Sequence, residues 1–275
     1  MTNLARIASS LVEAEPGLWV GSGTETVSYP LDAHRALAEI EDGSFWFLHR
    51  SAVIGALLER YPPPGCLFDV GGGNGYMVRD MRRRGIEAIL VEPRVDGART
   101  AIERGLQPVV NATLTSAGFR AESLPAVGLF DVVEHIKDDI PFLRQVHDLL
   151  QDDGRIYLTV PAYRWLWSVD DVRAGHFRRY TSASLRKVLS RAGFEVDYVS
   201  YFFIPLPLAI LAARTMPSLL GSRDADAPRA SEHRRPSGLI GKGFLWFLDR
   251  ELWLLSASRA PFGSSILAVA RKSRG

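Results

Sequence analysis

The sequence predicts an α/β fold, a seven-stranded sheet flanked by helices. Three observations carry that expectation. Residues 67–92 read as strand, glycine turn, helix, strand and acid, which is half of a nucleotide-binding α/β unit. Further short apolar runs alternate with helical segments along the rest of the chain. A chain of 275 residues, 47% hydrophobic and 23% charged, is long enough for one main domain with a sizeable core, and that composition forces neither disorder nor a membrane span.

Each element has its own local reason. Leu67-Phe68-Asp69-Val70 is a short apolar run of the buried-strand kind, and Tyr76 to Arg84 carries Met77 and Met81 at helical spacing before Gly85 closes it. Ile86 to Val91 is the second strand and ends in Glu92; Gln107 to Val110 is the third and Val127 to Val133 the fourth. A helix with Leu143, Val146 and Leu150 follows, and Asp152-Asp153-Gly154 turns the chain into a fifth strand over 155–160 that stops at Pro161. Thr181 or Ser182 caps a helix holding Leu185, Val188 and Leu189, which Gly193 ends. The stretches 194–202 and 264–272 are the last two strands.

The stretch FDVGGGNGYM, residues 68–77, sets four glycines in a strand-to-helix turn. Glycines there permit positive φ and let a ligand lie against bare backbone. A dinucleotide site asks for G-x-G-x-x-G, but Tyr76 stands where the third glycine belongs, which disfavours a nicotinamide oxidoreductase. The pattern that fits is acid-x-G-x-G-x-G, on Asp69, Gly71, Gly73 and Gly75. In these residues the chain resembles the class I S-adenosylmethionine-dependent methyltransferases, bacterial type 11/12-like; the alternative is a plain tight turn in an unrelated α/β protein.

The resemblance implies a Rossmann-like sheet of order 3-2-1-4-5-7-6 with the last strand antiparallel, and S-adenosylmethionine as cofactor, with S-adenosylhomocysteine as product. It covers roughly 65–202 and 263–272. It places Asp69 and the three glycines against the methionine and ribose, Glu92 on the ribose hydroxyls, Thr113 and Leu114 along the adenine, and Asp131 beneath the methyl donor. No acid stands in the adenine segment Thr113-Leu114-Thr115, where relatives commonly carry one.

The expected organisation is a helical extension or lid over 1–60, a cofactor-binding core over 61–202 and 263–275, and a helical insertion over 203–262. In SFWFLHR, residues 44–50, the aromatics either bury a helix or form a lid. On the lid reading Arg50 pairs with the methionine carboxylate, as a guanidinium does in bidentate fashion, with Tyr29 a weaker member of the same wall. Trp46 and His49 of that stretch are candidate acceptor contacts. So are Trp165, Trp167, Arg178 and Arg179 in the loop PAYRWLWSVDDVRAGHFRRYT, and Tyr201 after it. That loop leaves the sheet edge where open α/β sheets bind ligands; a solvated charged loop is the other reading. His176 is the candidate general base or orienter, with Tyr180 and His135 as further catalytic candidates. His147 falls on an amphipathic helix, and His34 and His233 belong to no constellation; no metal-ligand spacing emerges.

The insertion opens with YFFIPLPLAILAARTMPSLL, whose prolines and Arg214 argue against a spanning helix. A polar loop follows. Then a helix near 239–255 puts Leu245, Leu248, Leu252 and Leu255 on one stripe beside Trp246 and Trp253. The pair can cap an apolar pocket, form a homodimer, or lie on a membrane surface as a peripheral contact. A net charge of +2, with no nucleic-acid-reading motif, excludes a broad nucleic-acid footprint. One cysteine, Cys66, and no leader at the start point to a cytoplasmic protein, with membrane association open through 203–262. The expected activity is O-methylation, of a hydroxyl or carboxylate, on a small molecule, glycan or peptide in specialised metabolism or cell-surface biosynthesis. N-methylation and a non-catalytic cofactor-binding module are the alternatives.

Overall fold

Buried apolar runs become the inner strands, and the segments after their carboxyl ends become the site. The structure, a computed structural model, describes residues 2–23, 41–221 and 238–273. Tyr29, His34, His233 and the polar loop over 222–237 lie outside the described residues. In chain order the strands are β1 (Val12–Glu15), β2 (Leu18–Val20), β3 (Leu67–Val70), β4 (Ala88–Val91), β5 (Val109–Asn111), β6 (Leu124–Phe130), β7 (Leu150–Pro161), β8 (Phe194–Phe202) and β9 (Ser265–Lys272). The helices are α1 (Leu4–Ile7), α2 (Phe45–Arg60), α3 (Tyr76–Arg83), α4 (Val95–Glu103), α5 (Leu114–Ala117), α6 (Asp139–Leu149), α7 (Val169–Ala174), α8 (Ser182–Arg191), α9 (Leu206–Ile210), α10 (Met216–Leu219) and α11 (Gly238–Ala257).

One sheet of nine strands, ordered β1-β2-β5-β4-β3-β6-β7-β9-β8, runs through the molecule. Its seven inner and C-terminal strands have the expected order, and β9 is antiparallel to both neighbours. The two extra strands come from the amino-terminal segment, which was expected to be helical. Pro16-Gly17 turns the chain back on itself, with Gly17 at φ 79, and β2 adds parallel to β5 while β1 closes the edge antiparallel. Strands of three and four residues carry too little alternation to be read in advance. All four residues of β1 are exposed, and Glu13 and Glu15 put charge on this free edge.

Two other boundaries move for physical reasons. Asp152-Asp153-Gly154, expected as a turn before the fifth strand, lies inside β7: Asp153 takes φ 62 and the pairing with β6 skips there, so the residues form a bulge. The fourth strand ends at Phe130, because Asp131 takes φ 60 and leads into a tight helical turn over Val133–His135. β3 and β4 are buried along their whole length, since helices cover both faces of a parallel sheet.

α11 lies along α2, where Phe45 meets Phe244 edge to face at 5.3 Å. Leu248 and Leu255 are buried and Leu245 and Leu252 half-buried, while Trp246 and Trp253 face outward. Glu251 sits on the buried side. Its carboxylate meets the His49 ring nitrogen Nε2 at 2.5 Å and accepts the backbone N–H groups of Phe203 and Ile204, tying α11 to α2 and to the end of β8. Among the described residues, no helix is long and apolar enough to cross a membrane.

Candidate active site

The parallel strands all point their carboxyl ends at one edge, the edge at which open α/β sheets hold ligands. The chain leaves β3 through Gly71, Gly73 and Gly75, at φ 71, 57 and 74. Gly75 caps α3 in the left-handed region, and a Cβ there would stand 2.4 Å from Leu106 Cδ1. At Gly72 a Cβ would stand 2.4 Å from Asp69 Oδ2, so bare backbone is what allows the turn to close over that carboxylate.

Asp69 is fully buried, and neither carboxylate oxygen has a hydrogen-bond partner. Burial pushes its pKa up to about 7, with the Arg50 guanidinium pulling the other way. Glu92, at the tip of β4, is 2% exposed; one carboxylate oxygen accepts from Gly73 N and the other from Arg94 N, each at 2.8 Å. Burial pushes Glu92 up to about 8 against those two N–H groups. The turn thus faces two buried acids. Thr113 caps α5 through a reciprocal pair with Ser116, and Leu114 is buried behind it.

Arg50 is nearly buried on α2. Its Nε meets Asp131 Oδ2 at 2.6 Å and its Nη2 donates to the Phe130 carbonyl at 2.8 Å, while its guanidinium lies 5.1 Å from the centre of the Trp46 ring. The edge expected to face a ligand carboxylate is therefore shared between Asp131, at Nε, and the Phe130 carbonyl, at Nη2. Trp46 stacks on Phe203 and is half-buried, and His49 is held in the interior by Glu251. Both belong to the packing of α2, and His49 does not face the site.

A second cluster sits beside this turn. Glu134 and His135 follow one another in the turn after β6, and Phe177 N donates to the Glu134 carbonyl at 2.8 Å, fastening the loop with His176 against them. The His135 and His176 rings meet edge to face at 4.7 Å. One donor atom from each of Glu134, His135 and His176 lies within 4.8 Å of the others. Glu134 is 1% exposed; burial, then the Asp131 charge, pushes its carboxyl well above the ordinary range. Burial, then His176, pushes His135 down to about 4.

His176 is oriented from behind. Its Nδ1 meets Asp171 Oδ1 at 2.9 Å, and Arg179 grips the same carboxylate through Nε and Nη2 at 2.7 and 3.0 Å. Burial opposes ionisation of Asp171, but the hydrogen bonds from His176 and Arg179 outweigh it and hold the pKa down at about 2. Arg179 is thus a clamp on Asp171. Arg178 pairs with Asp139 at 2.7 Å and donates to the Lys137 carbonyl, and the buried Tyr180 hydroxyl donates to the same Asp139 at 2.8 Å. These two residues pin the loop to α6, and Tyr180 is buried with its hydroxyl taken by Asp139.

Aromatic rings build a wall further along. Tyr163 stacks on Tyr201 at 5.1 Å and on Trp165 at 5.4 Å; Trp165 is exposed, Trp167 half-buried, and the Tyr201 hydroxyl accepts from Ser182 N at 3.0 Å. The sequence reading gave no role to Glu134, Asp171 or Glu251. Glu134 had a signal, an acid adjoining a histidine directly after a strand. Glu251 had another, a lone acid on a leucine stripe. Asp171 is one of two adjacent aspartates, and only the folded loop distinguishes them.

Residues 47–199 match the family described as "Methyltransferase domain". The chain belongs to that family, as a class I S-adenosylmethionine-dependent methyltransferase. This methyltransferase is 27% identical over 213 residues to a probable S-adenosylmethionine-dependent methyltransferase of Mycolicibacterium smegmatis, covering 72% of this chain and 80% of the relative. A ubiquinone biosynthesis O-methyltransferase of Ruegeria pomeroyi is 30% identical over 96 residues, 32% of this chain and 38% of that one. A solved S-adenosylmethionine-dependent methyltransferase from Archaeoglobus fulgidus has the same fold, with a TM-score of 0.51 at 18% identity, over 83% of this chain and 100% of that one. The cofactor is S-adenosylmethionine. A fully buried acid without a partner, under a turn of bare backbone, suits a ligand carrying a sulfonium and an ammonium group.

Proposed function

We propose that this methyltransferase transfers the methyl group to an oxygen of a small molecule, glycan or peptide, a hydroxyl ahead of a carboxylate, in specialised metabolism or cell-surface biosynthesis. The observation that carries the reading is the cluster of Glu134, His135 and His176. A neutral amine is nucleophilic as it stands, whereas a hydroxyl must lose its proton as it attacks, and two imidazoles and a carboxylate serve that need. A carboxylate acceptor needs no such help. The likeness to an O-methyltransferase over 96 residues points the same way.

On this reading Asp69 faces the cationic methionine end, Gly71, Gly73 and Gly75 admit it against the backbone, and Glu92 turns one carboxylate to the ribose hydroxyls. Thr113 and Leu114 border the adenine, and Asp131 with Arg50 closes the methionine end. The sulfonium supplies an electrophilic methyl; the protein's task is to place the acceptor oxygen in line behind it. His176, oriented by Asp171, and its neighbours His135 and Glu134 receive that oxygen. Trp165, Trp167, Tyr163 and Tyr201 hold the acceptor's body, and the described parts of the insertion, 203–221 and 238–262, cover it, with 61–202 and 263–273 forming the cofactor-binding core. Arg178 and Tyr180 keep the loop in place.

Calorimetric titration with S-adenosylmethionine, followed by transfer of labelled methyl to phenols, alcohols, carboxylates and amines, tests the assignment. We expect phenols or alcohols to be methylated, and His176→Ala to lose turnover on the order of 100-fold while still binding the cofactor. Near wild-type turnover in that variant would remove His176 from the chemistry, and transfer to amines alone would replace oxygen by nitrogen.

A further inference from the structure

The cluster that receives the acceptor has the make-up of a metal site. We propose that Glu134, His135 and His176 bind a divalent transition-metal ion, and that the acceptor hydroxyl takes an open position on it. The inference rests on the oxygen-acceptor reading for the acceptor alone; the metal site stands on the residues themselves.

Two imidazoles and one carboxylate form a donor set for Zn2+, Fe2+, Co2+ or Ni2+, and ill suited to Mg2+ or Ca2+, which favour oxygen ligands. Three protein ligands leave at least one position for a substrate. Donor atoms around a single ion, each about 2.1 Å from it, stand roughly 3–4 Å apart; here one from each residue already lies within 4.8 Å of the others. Side-chain rotations that move each donor by less than about one ångström close the remainder.

Two independent features point to a ligand. Glu134, 1% exposed, keeps carboxylate oxygen Oε2 buried with no hydrogen-bond partner, a costly state unless something charged meets it. His176 also has the outer partner that metal-bound histidines have: Asp171 takes Nδ1 and Arg179 fixes Asp171, which leaves Nε2 as the ring's ligating atom. The backbone bond from Phe177 N to the Glu134 carbonyl holds the two halves of the site together before any ion arrives. With both imidazoles and the carboxylate bound to the ion, the ion and not a free imidazole activates the acceptor: it lowers the pKa of the hydroxyl, whose proton leaves to solvent water. The oxygen's electron pair forms the O–CH3 bond, and the S–CH3 pair returns to sulfur as a neutral thioether.

The full chain, stripped with a chelator and dialysed, is titrated with Co2+ by absorbance and with Zn2+ against a chromophoric chelator. The expected result is one ion per chain with ligand-field bands in the visible. Binding should weaken on the order of 100-fold in Glu134→Gln and in His176→Ala, and roughly 10- to 100-fold in Asp171→Asn. Cofactor binding by the same samples, measured calorimetrically, reports that each variant is folded. A sample that binds S-adenosylmethionine but shows no saturable Co2+ binding overturns the site, as does equal affinity in wild type and variants. Methylation of a phenol at full rate by stripped enzyme overturns the acceptor's place on the metal and leaves the oxygen reading standing. Tight Co2+ binding with transfer to amines alone upholds the metal site and overturns the oxygen acceptor.

Discussion

Asp69→Asn isolates the electrostatic cost of the cofactor turn. Asp69 is fully buried without a hydrogen-bond partner, and its pKa rises from an ordinary 3.8 to about 7. Because the folded value lies above the unfolded one, the unfolded chain releases this proton first. The associated stability is fully present below pH 3.8 and is lost as pH rises through about 7. A shift of that size corresponds to roughly 4 kcal/mol at complete ionisation, of which about 2–3 kcal/mol is lost between pH 5 and pH 8. Asparagine carries no titrating proton. Its amide has its own burial cost, but that cost is the same at both pH values, so the slopes are compared and the absolute stabilities are not. Urea unfolding of both proteins without cofactor, at intervals from pH 5 to 8, should show the wild type losing about 2–3 kcal/mol more than the variant. Saturating S-adenosylmethionine should flatten the wild-type curve, since the cation favours the ionised carboxylate, and should stabilise the variant much less. Parallel curves without cofactor would refute the account of Asp69 as a buried, unpaired acid.

Three further outcomes are expected. Glu92→Ala removes a carboxylate that pairs with Gly73 N and Arg94 N, and S-adenosylmethionine affinity read by calorimetry should fall on the order of 100-fold. Gly75→Ala puts a Cβ 2.4 Å from Leu106 Cδ1 at φ 74, and should cost roughly 1–3 kcal/mol in denaturant unfolding while Gly85→Ala, with open space around its Cβ, costs less. Glu251→Ala strands His49 and the N–H groups of Phe203 and Ile204, and should cost roughly 3 kcal/mol or more; a change below about 1 kcal/mol would mean that α11 is held by its leucines alone.

Much of the fold was legible because it is written in local chemistry. The glycine turn between β3 and α3, the acid closing β4 and the caps of α8 depend on residues a few positions apart, and each appears close to where it was expected. The hairpin of β1 and β2 was not legible, since a three-residue strand is held by the edge of β5 and not by its own pattern. For the same reason Asp152-Asp153-Gly154 looked like a turn: the residue types suit a turn and a bulge alike, and only the partner strand β6 decides. Arg50 was expected to be open to a ligand, but Asp131 and the Phe130 carbonyl, 80 positions on, occupy its edge. Sequence by itself determined the α/β class and the cofactor turn, because backbone conformation and burial of short runs are local properties. Only the tertiary structure decided which polar side chains meet: Glu134 with His135 and His176, Asp171 with Arg179, Glu251 with His49. The sheet and its loops join such partners over separations from 8 residues, for Asp171 and Arg179, to 202, for His49 and Glu251, and a carboxylate carries no mark in the sequence of the group it will face.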